Sequence, residues 1–265
     1  MSAQTKTRQR NLWEKFLTFF GDIKIYPHPM FIVYDPGSYR IKGPELRKIL
    51  DLLQPGDILL RGYDNYLDGK FIGGTFSHAA FYYGEATDQK DRPLARANAS
   101  VEGESDCFTP GQQMVVHSMA EGVFMEDILT FARCDKLAIL RLPEQLSLKT
   151  NHKLRVGSEK RPNFSVEEER IYQSLKSGAQ VNGVDAVEQA KKLALAHLGF
   201  AYDFGFDFET HKSFSCTEFI YFIYRCVCPF VDIQLVEKSI LFLKRKVLRP
   251  DDFLETGLQQ IFIKK

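Results

Sequence analysis

The chain has 265 residues, 44% hydrophobic and 13% aromatic, enough apolar material for a sizeable core in one large domain or one domain with insertions. Its 35 Lys+Arg against 34 Asp+Glu leave a net charge of +1, which removes the broad electrostatic attraction that nucleic acid would need. Five cysteines, at 107, 134, 216, 226 and 228, form no C-x-x-C pair, so a zinc ribbon is not expected; with no export signal or membrane-length apolar run, they point to a reducing, cytoplasmic setting.

Residues 1–43 read as an N-terminal extension. A polar, basic start gives way to Leu12, Trp13, Phe16, Leu17 and Phe20 at helical spacing. That amphipathic helix suits docking on the domain, or peripheral membrane contact through residues 12–20. Residues 44–265 form the main domain. Pro44 opens a helix over 45–53, as proline does at a first helical position. Pro55-Gly56-Asp57 then turns the chain into a buried strand that starts Ile58-Leu59-Leu60. Residues 64–75, with Gly73-Gly74, read as a flexible loop bordering a cleft and match no nucleotide fingerprint.

Ser77-His78-Ala79-Ala80-Phe81-Tyr82-Tyr83 reads as the next strand. Period-two alternation puts His78, Ala80 and Tyr82 on one face and Ala79, Phe81 and Tyr83 on the other. A polar excursion over 85–113 is the first insertion, a flap or long hairpin loop. Strands are expected at 114–119, with His117, and at 137–142. The second insertion lies near 143–180; within it Ser165 and the acidic run Glu167-Glu168-Glu169 mark a helix start. Another helix spans 185–197 and stops at Gly199. Gln260-Ile261-Phe262-Ile263 is a candidate closing strand.

The chemistry concentrates at Ser213-Phe214-Ser215-Cys216-Thr217-Glu218. It leads into Phe219-Ile220-Tyr221-Phe222-Ile223-Tyr224, apolar on every side and so a helix sunk in the core, capped by Ser213 or Ser215. Cys216 falls in the first turn, where free N–H groups and the helix dipole favour a thiolate, so a lowered pKa is expected. The alternative is a small buried hydrophobe. A thiol hydrolase also needs an imidazole and a group to orient it. His78 and His117 lie on consecutive expected strands. With strands about 4.8 Å apart, imidazoles on a shared face touch, and a helix packed across that face would bring Cys216 to them. Each histidine alone is more often a satisfied core or rim residue. As metal ligands, His78, His117 and Cys216 lack a recognisable spacing, so no metal or cofactor is expected.

Taken together, Pro55-Gly56-Asp57-Ile58-Leu59-Leu60, Phe76-Ser77-His78-Ala79-Ala80-Phe81-Tyr82, Val115-Val116-His117-Ser118-Met119-Ala120-Glu121-Gly122-Val123, Gly199-Phe200-Ala201-Tyr202-Asp203-Phe204 and Phe214-Ser215-Cys216-Thr217-Glu218-Phe219-Ile220 resemble the circularly permuted NlpC-type papain-like cysteine hydrolases, in particular the YiiX-like branch. The resemblance implies an α+β fold: a papain-like antiparallel sheet or half-barrel packed against helices, with the nucleophile at a helix N-terminus. It implies Cys216 as nucleophile, His78 as general base and acid, and His117 as the third polar group. That branch often carries a carboxylate at the third position, which leaves nearby Glu121 as the alternative orienting group. Tyr202 lines the site and assists oxyanion binding on the same grounds. The implied activity is hydrolysis of an amide bond in a peptide or amidated amino acid through an acyl-enzyme. Two alternatives stay open: acyl transfer or lipid hydrolysis in the manner of lecithin–retinol acyltransferases, or a silent binding module. The partner is a small peptide, amide or acyl-lipid substrate, and the sequence is silent on oligomeric state.

Overall fold

The structure, a computed structural model, describes residues 39–64, 74–96, 107–148, 163–205, 208, 212–240 and 243–265. The amphipathic helix expected over 12–20 lies outside the described residues.

The described chain is a mixed α+β structure. Helix α1 (Gly43–Leu52) leads through the Pro55–Asp57 turn to β1 (Ile58–Gly62), followed by β2 (His78–Ala86), a short α2 (Arg92–Arg96), β3 (Gly111–Met119), β4 (Gly122–Asp127), a short α3 (Ile128–Phe131) and β5 (Lys136–Arg141). Next come β6 (Gln145–Leu146), α4 (Val166–Lys176), β7 (Val181–Asn182), α5 (Gly183–Ala196), β8 (Ala201–Tyr202), β9 (Ser213–Phe214) and α6 (Cys216–Ile223). The chain closes with the hairpin β10 (Val236–Ile240) and β11 (Leu243–Val247), then β12 (Gln259–Lys264). Six strands form one antiparallel sheet in the order β12-β5-β1-β2-β3-β4.

The alternation read from the sequence decides which helices cover which face. Ala79, Phe81 and Tyr83 of β2 join Ile58, Leu60 and Val116 in a core shared with Ile171, Leu175, Ala186, Ala190, Ala194, Phe219 and Ile220 of α4, α5 and α6. Ala80 and Tyr82 join Leu59 and Val115 in a second core on the opposite face, capped by Ile49 of α1 and Ile128 and Phe131 of the short α3. The sequence expectation omitted β4. A six-residue strand following the Ala120-Glu121 turn is too short and too acidic at its end to announce itself by periodicity.

Four polar clamps fix the segments that carry the candidate residues. Asp57, fully buried, takes two hydrogen bonds from Arg141, Nε to Oδ1 at 2.7 Å and a terminal nitrogen to Oδ2 at 2.8 Å. Beside it Gly56 has φ +97, and a Cβ there would lie 2.4 Å from Val187, so only glycine fits. Its carbonyl accepts the Tyr224 hydroxyl at 2.6 Å, tying the turn to the end of α6. Arg225, one residue further on, donates to both carboxylate oxygens of Glu168 at the start of α4, at 2.6 and 2.8 Å. Finally, Asp251 accepts the backbone N–H groups of Thr75 and Phe76 at 2.6 and 2.8 Å. Thr75, expected to be the end of a flexible loop, is instead held with Phe76 by a carboxylate as the lead-in to β2. Residues 65–73 of that loop lie outside the described residues.

Candidate active site

Cys216 is the first residue of α6. Ser215 is its N-cap: the Ser215 hydroxyl accepts the Glu218 N–H, and the Glu218 carboxylate accepts the Ser215 N–H at 2.6 Å. This reciprocal cap leaves the Cys216 N–H without an intrahelical partner, as at any helix start. The other oxygen of Glu218 accepts the Phe208 N–H at 2.8 Å, so this carboxylate ties the residue just before the cysteine to the segment around Phe208. Burial, and then the nearby Asp203 carboxylate, push the Glu218 pKa up to about 7.

The Cys216 sulfur reaches the histidine strand in an unexpected way. Helix α6 covers the Ala79–Phe81 face of the sheet, not the face that bears the imidazoles. His78 and His117 lie on the other face, both against the ring of Phe131 at 6.0 and 5.6 Å between centroids. Beside His78 the β2–β3 ladder is open, on a strand that the Cys216 helix packs against. The β2–β3 ladder begins only at Phe81↔Val116, whereas β3 stays paired with β4 down to Met119↔Gly122. The pairing of Tyr82 N–H with the Asp57 carbonyl sets the parity of β2, so the Ala79 N–H points towards β3. With no ladder partner there, it turns to the Cys216 sulfur. Ser118, next to His117, holds the other lip of the opening: its hydroxyl donates to the Phe214 carbonyl at 2.5 Å, two residues before Cys216.

His78 and His117 form a direct pair, with His78 Nε2 and His117 Nδ1 2.8 Å apart. His117 is fully buried, with the tilted Phe124 ring at 4.5 Å between centroids, while His78 is half-buried. Glu121 is exposed in the β3–β4 turn. The carboxylate that meets His117 is Glu126 on β4, whose Oε1 lies 3.2 Å from Nε2. That approach is too poorly aligned for a full hydrogen bond, and His117 Nε2, Glu126 Oε1 and Arg61 Nε are all buried without one. Arg61 completes the cluster from β1, opposite His78 in the ladder. Its guanidinium donates to the Phe131 carbonyl at 3.3 Å, contacts the Met119 sulfur at 3.2 Å and lies 3.7 Å from Glu126.

Sequence reasoning missed Arg61 and Glu126. For Arg61 the available signal was a charge that continues the apolar Ile58-Leu59-Leu60 run; Glu126 gave none, because β4 itself was not expected. Tyr202, on β8, pairs in register with Phe214 on β9 and so stands near the cysteine, half-buried.

The electrostatics also correct the expected low thiol pKa. Burial raises the Cys216 pKa to about 11, outweighing the Ala79 and Thr217 N–H groups that pull it down. Burial lowers His78 well below the ordinary imidazole range, and the Arg61 charge adds to the effect. His117 is lowered by the same burial, against the opposing pull of Glu126. At rest the site therefore holds a neutral thiol and neutral imidazoles, not a thiolate–imidazolium pair.

Among the described residues, no group of three or more His, Cys, Asp or Glu side chains is arranged to hold a metal ion, and no helix is long and apolar enough to cross a membrane. No protein-family model, curated protein or solved structure matches the chain.

Proposed function

We propose that the chain is a thiol-dependent hydrolase of the circularly permuted NlpC-type, YiiX-like kind, cleaving an amide bond in a peptide or amidated amino acid through an acyl-enzyme on Cys216. The observation that supports this reading most is the opening between β2 and β3. There the Cys216 sulfur meets the N–H of Ala79, while the adjacent His78 is braced by His117 at 2.8 Å. A core cysteine has no need of a broken ladder and a paired, half-buried imidazole beside it.

In this mechanism the sulfur attacks the substrate carbonyl as His78 takes the thiol proton. Neutral partners at rest make that proton transfer concerted with attack, since separating charge first in a buried site would be costly. The developing oxyanion faces the free Cys216 N–H at the mouth of α6, with Tyr202 alongside. His78 returns the proton to the leaving amine, and water then resolves the thioester with His78 as base. His117 holds the His78 ring in place.

The reading is tested by incubating the protein with peptide-amide and acyl-lipid libraries and identifying the released products by mass spectrometry. Amine release by the wild type, and none by Cys216→Ala, is the expected result. Release of fatty acid or transfer of an acyl chain would move the assignment to the lipid-active alternative. Tight binding without product, unchanged in Cys216→Ala, would make it a binding module.

A further inference from the structure

The imidazole pair leaves one question of proton placement, and Glu126 answers it. Glu126 and Phe124 lie on the β4 face that points the same way as His117, with Val115↔Glu126 and His117↔Phe124 as ladder neighbours. His117 is sealed from solvent, so it carries a single ring proton whose position depends on its neighbours. A carboxylate oxygen 3.2 Å from Nε2 repels a nitrogen lone pair and favours N–H there, even at an imperfect angle. Nδ1 of His117 then presents its lone pair to His78 Nε2 at 2.8 Å, which must be the N–H partner. Nδ1 of His78 is consequently the one ring nitrogen left basic and unengaged in the pair.

We propose that Glu126, with Arg61 as its counter-charge, is a positioning residue that fixes the tautomers of both histidines and so makes His78 Nδ1 the base for Cys216. The proposal rests on the reading of Cys216 as nucleophile. Arg61 has a double part in it. Its guanidinium lies 3.7 Å from Glu126 and 4.5 Å from the Phe131 ring against which both imidazoles pack. With Glu126 present that cation is balanced; without it, a buried positive charge opposes any proton arriving on His78. The charged groups around the pair are thus Arg61 from β1 and Glu126 from β4, with Glu121 acting more weakly on His117 from the turn.

The test uses the full chain with ¹⁵N-labelled histidine. Long-range proton–nitrogen spectra report the tautomer of each ring, and acylation of Cys216 by an activated acyl ester is followed by mass in parallel. In the wild type, His78 is expected as the Nε2–H tautomer. Glu126→Gln, which keeps the shape, and Glu126→Ala should both give mixed or inverted His78 tautomers, and acylation should slow by about a hundredfold or more with KM little changed. Glu126→Asp should restore much of the rate and the tautomer. An Nδ1–H tautomer for His78 in the wild type, or a His78 tautomer unmoved in Glu126→Gln and Glu126→Ala, overturns the proposal. The two readings fail separately. Tautomers that shift as expected while the wild type is never acylated would remove the enzyme and keep the positioning role. Normal acylation with unmoved tautomers would do the reverse.

Discussion

At the scale of single residues, burial outweighs the helix dipole. Cys216 stands where a helix start should stabilise a thiolate, yet the residue is only 7% exposed and burial pushes its pKa up to about 11. Iodoacetamide should therefore modify Cys216 slowly at pH 6 and faster by about tenfold per pH unit between 7 and 10. A rate already level at pH 6 would mean a preformed thiolate and contradict the neutral resting state. Glu218 titrates with a sign of its own. Its folded pKa, up to about 7, exceeds the ordinary 4.5, so between those values the native state binds more protons than the unfolded chain. Stability should fall as pH rises from 4.5 through 7, by on the order of 1 kcal/mol per unit at the steepest. Urea unfolding at pH 5 and 8 checks this, and Glu218→Gln should flatten the trend.

Individual elements carry the site through clamps that lie away from the chemistry. Asp251 grips Thr75 and Phe76, three and two residues ahead of His78. Asp251→Ala should speed hydrogen exchange at 75–78 and lower turnover without touching Cys216; exchange unchanged there would show that β2 holds its own register. Tyr224→Phe removes the hydroxyl bond to Gly56 and should cost about 1 kcal/mol, read from the denaturation midpoint. These elements were unequally legible. The alternation of 77–83 correctly assigned His78 and Ala79 to opposite faces, and of the two serines offered as the cap of α6, Ser213 and Ser215, the structure uses Ser215. Periodicity could not reveal that the β2–β3 ladder lapses at Ala79, because that depends on a strand pairing and on a helix arriving from the far face. For the same reason Glu126, on a strand that was not expected, stayed hidden, and Glu121 drew attention only through its nearness to His117 in sequence.

Across the whole molecule, two buried ion pairs tie segments distant in the chain: Asp57 in the turn before β1 to Arg141 at the end of β5, and Glu168 of α4 to Arg225 just past α6. Both carboxylates are fully buried, so each depends on its arginine. Arg141→Ala should lower global stability by about 3 kcal/mol or more, because an unpaired carboxylate is left inside; a loss under about 1 kcal/mol would show that water reaches Asp57. The proposed mechanism needs Cys216 and His78 to come together where the β2–β3 ladder stops short and the Cys216 sulfur lies by the Ala79 backbone. Its most direct test is the mass of the chain, quenched in acid during reaction with an activated acyl ester and mapped by peptide. An acyl group confined to the peptide that holds Cys216, absent from Cys216→Ala and scarce in His78→Ala, is the predicted result. An acyl group spread over the other thiols, or no added mass at all, would contradict it.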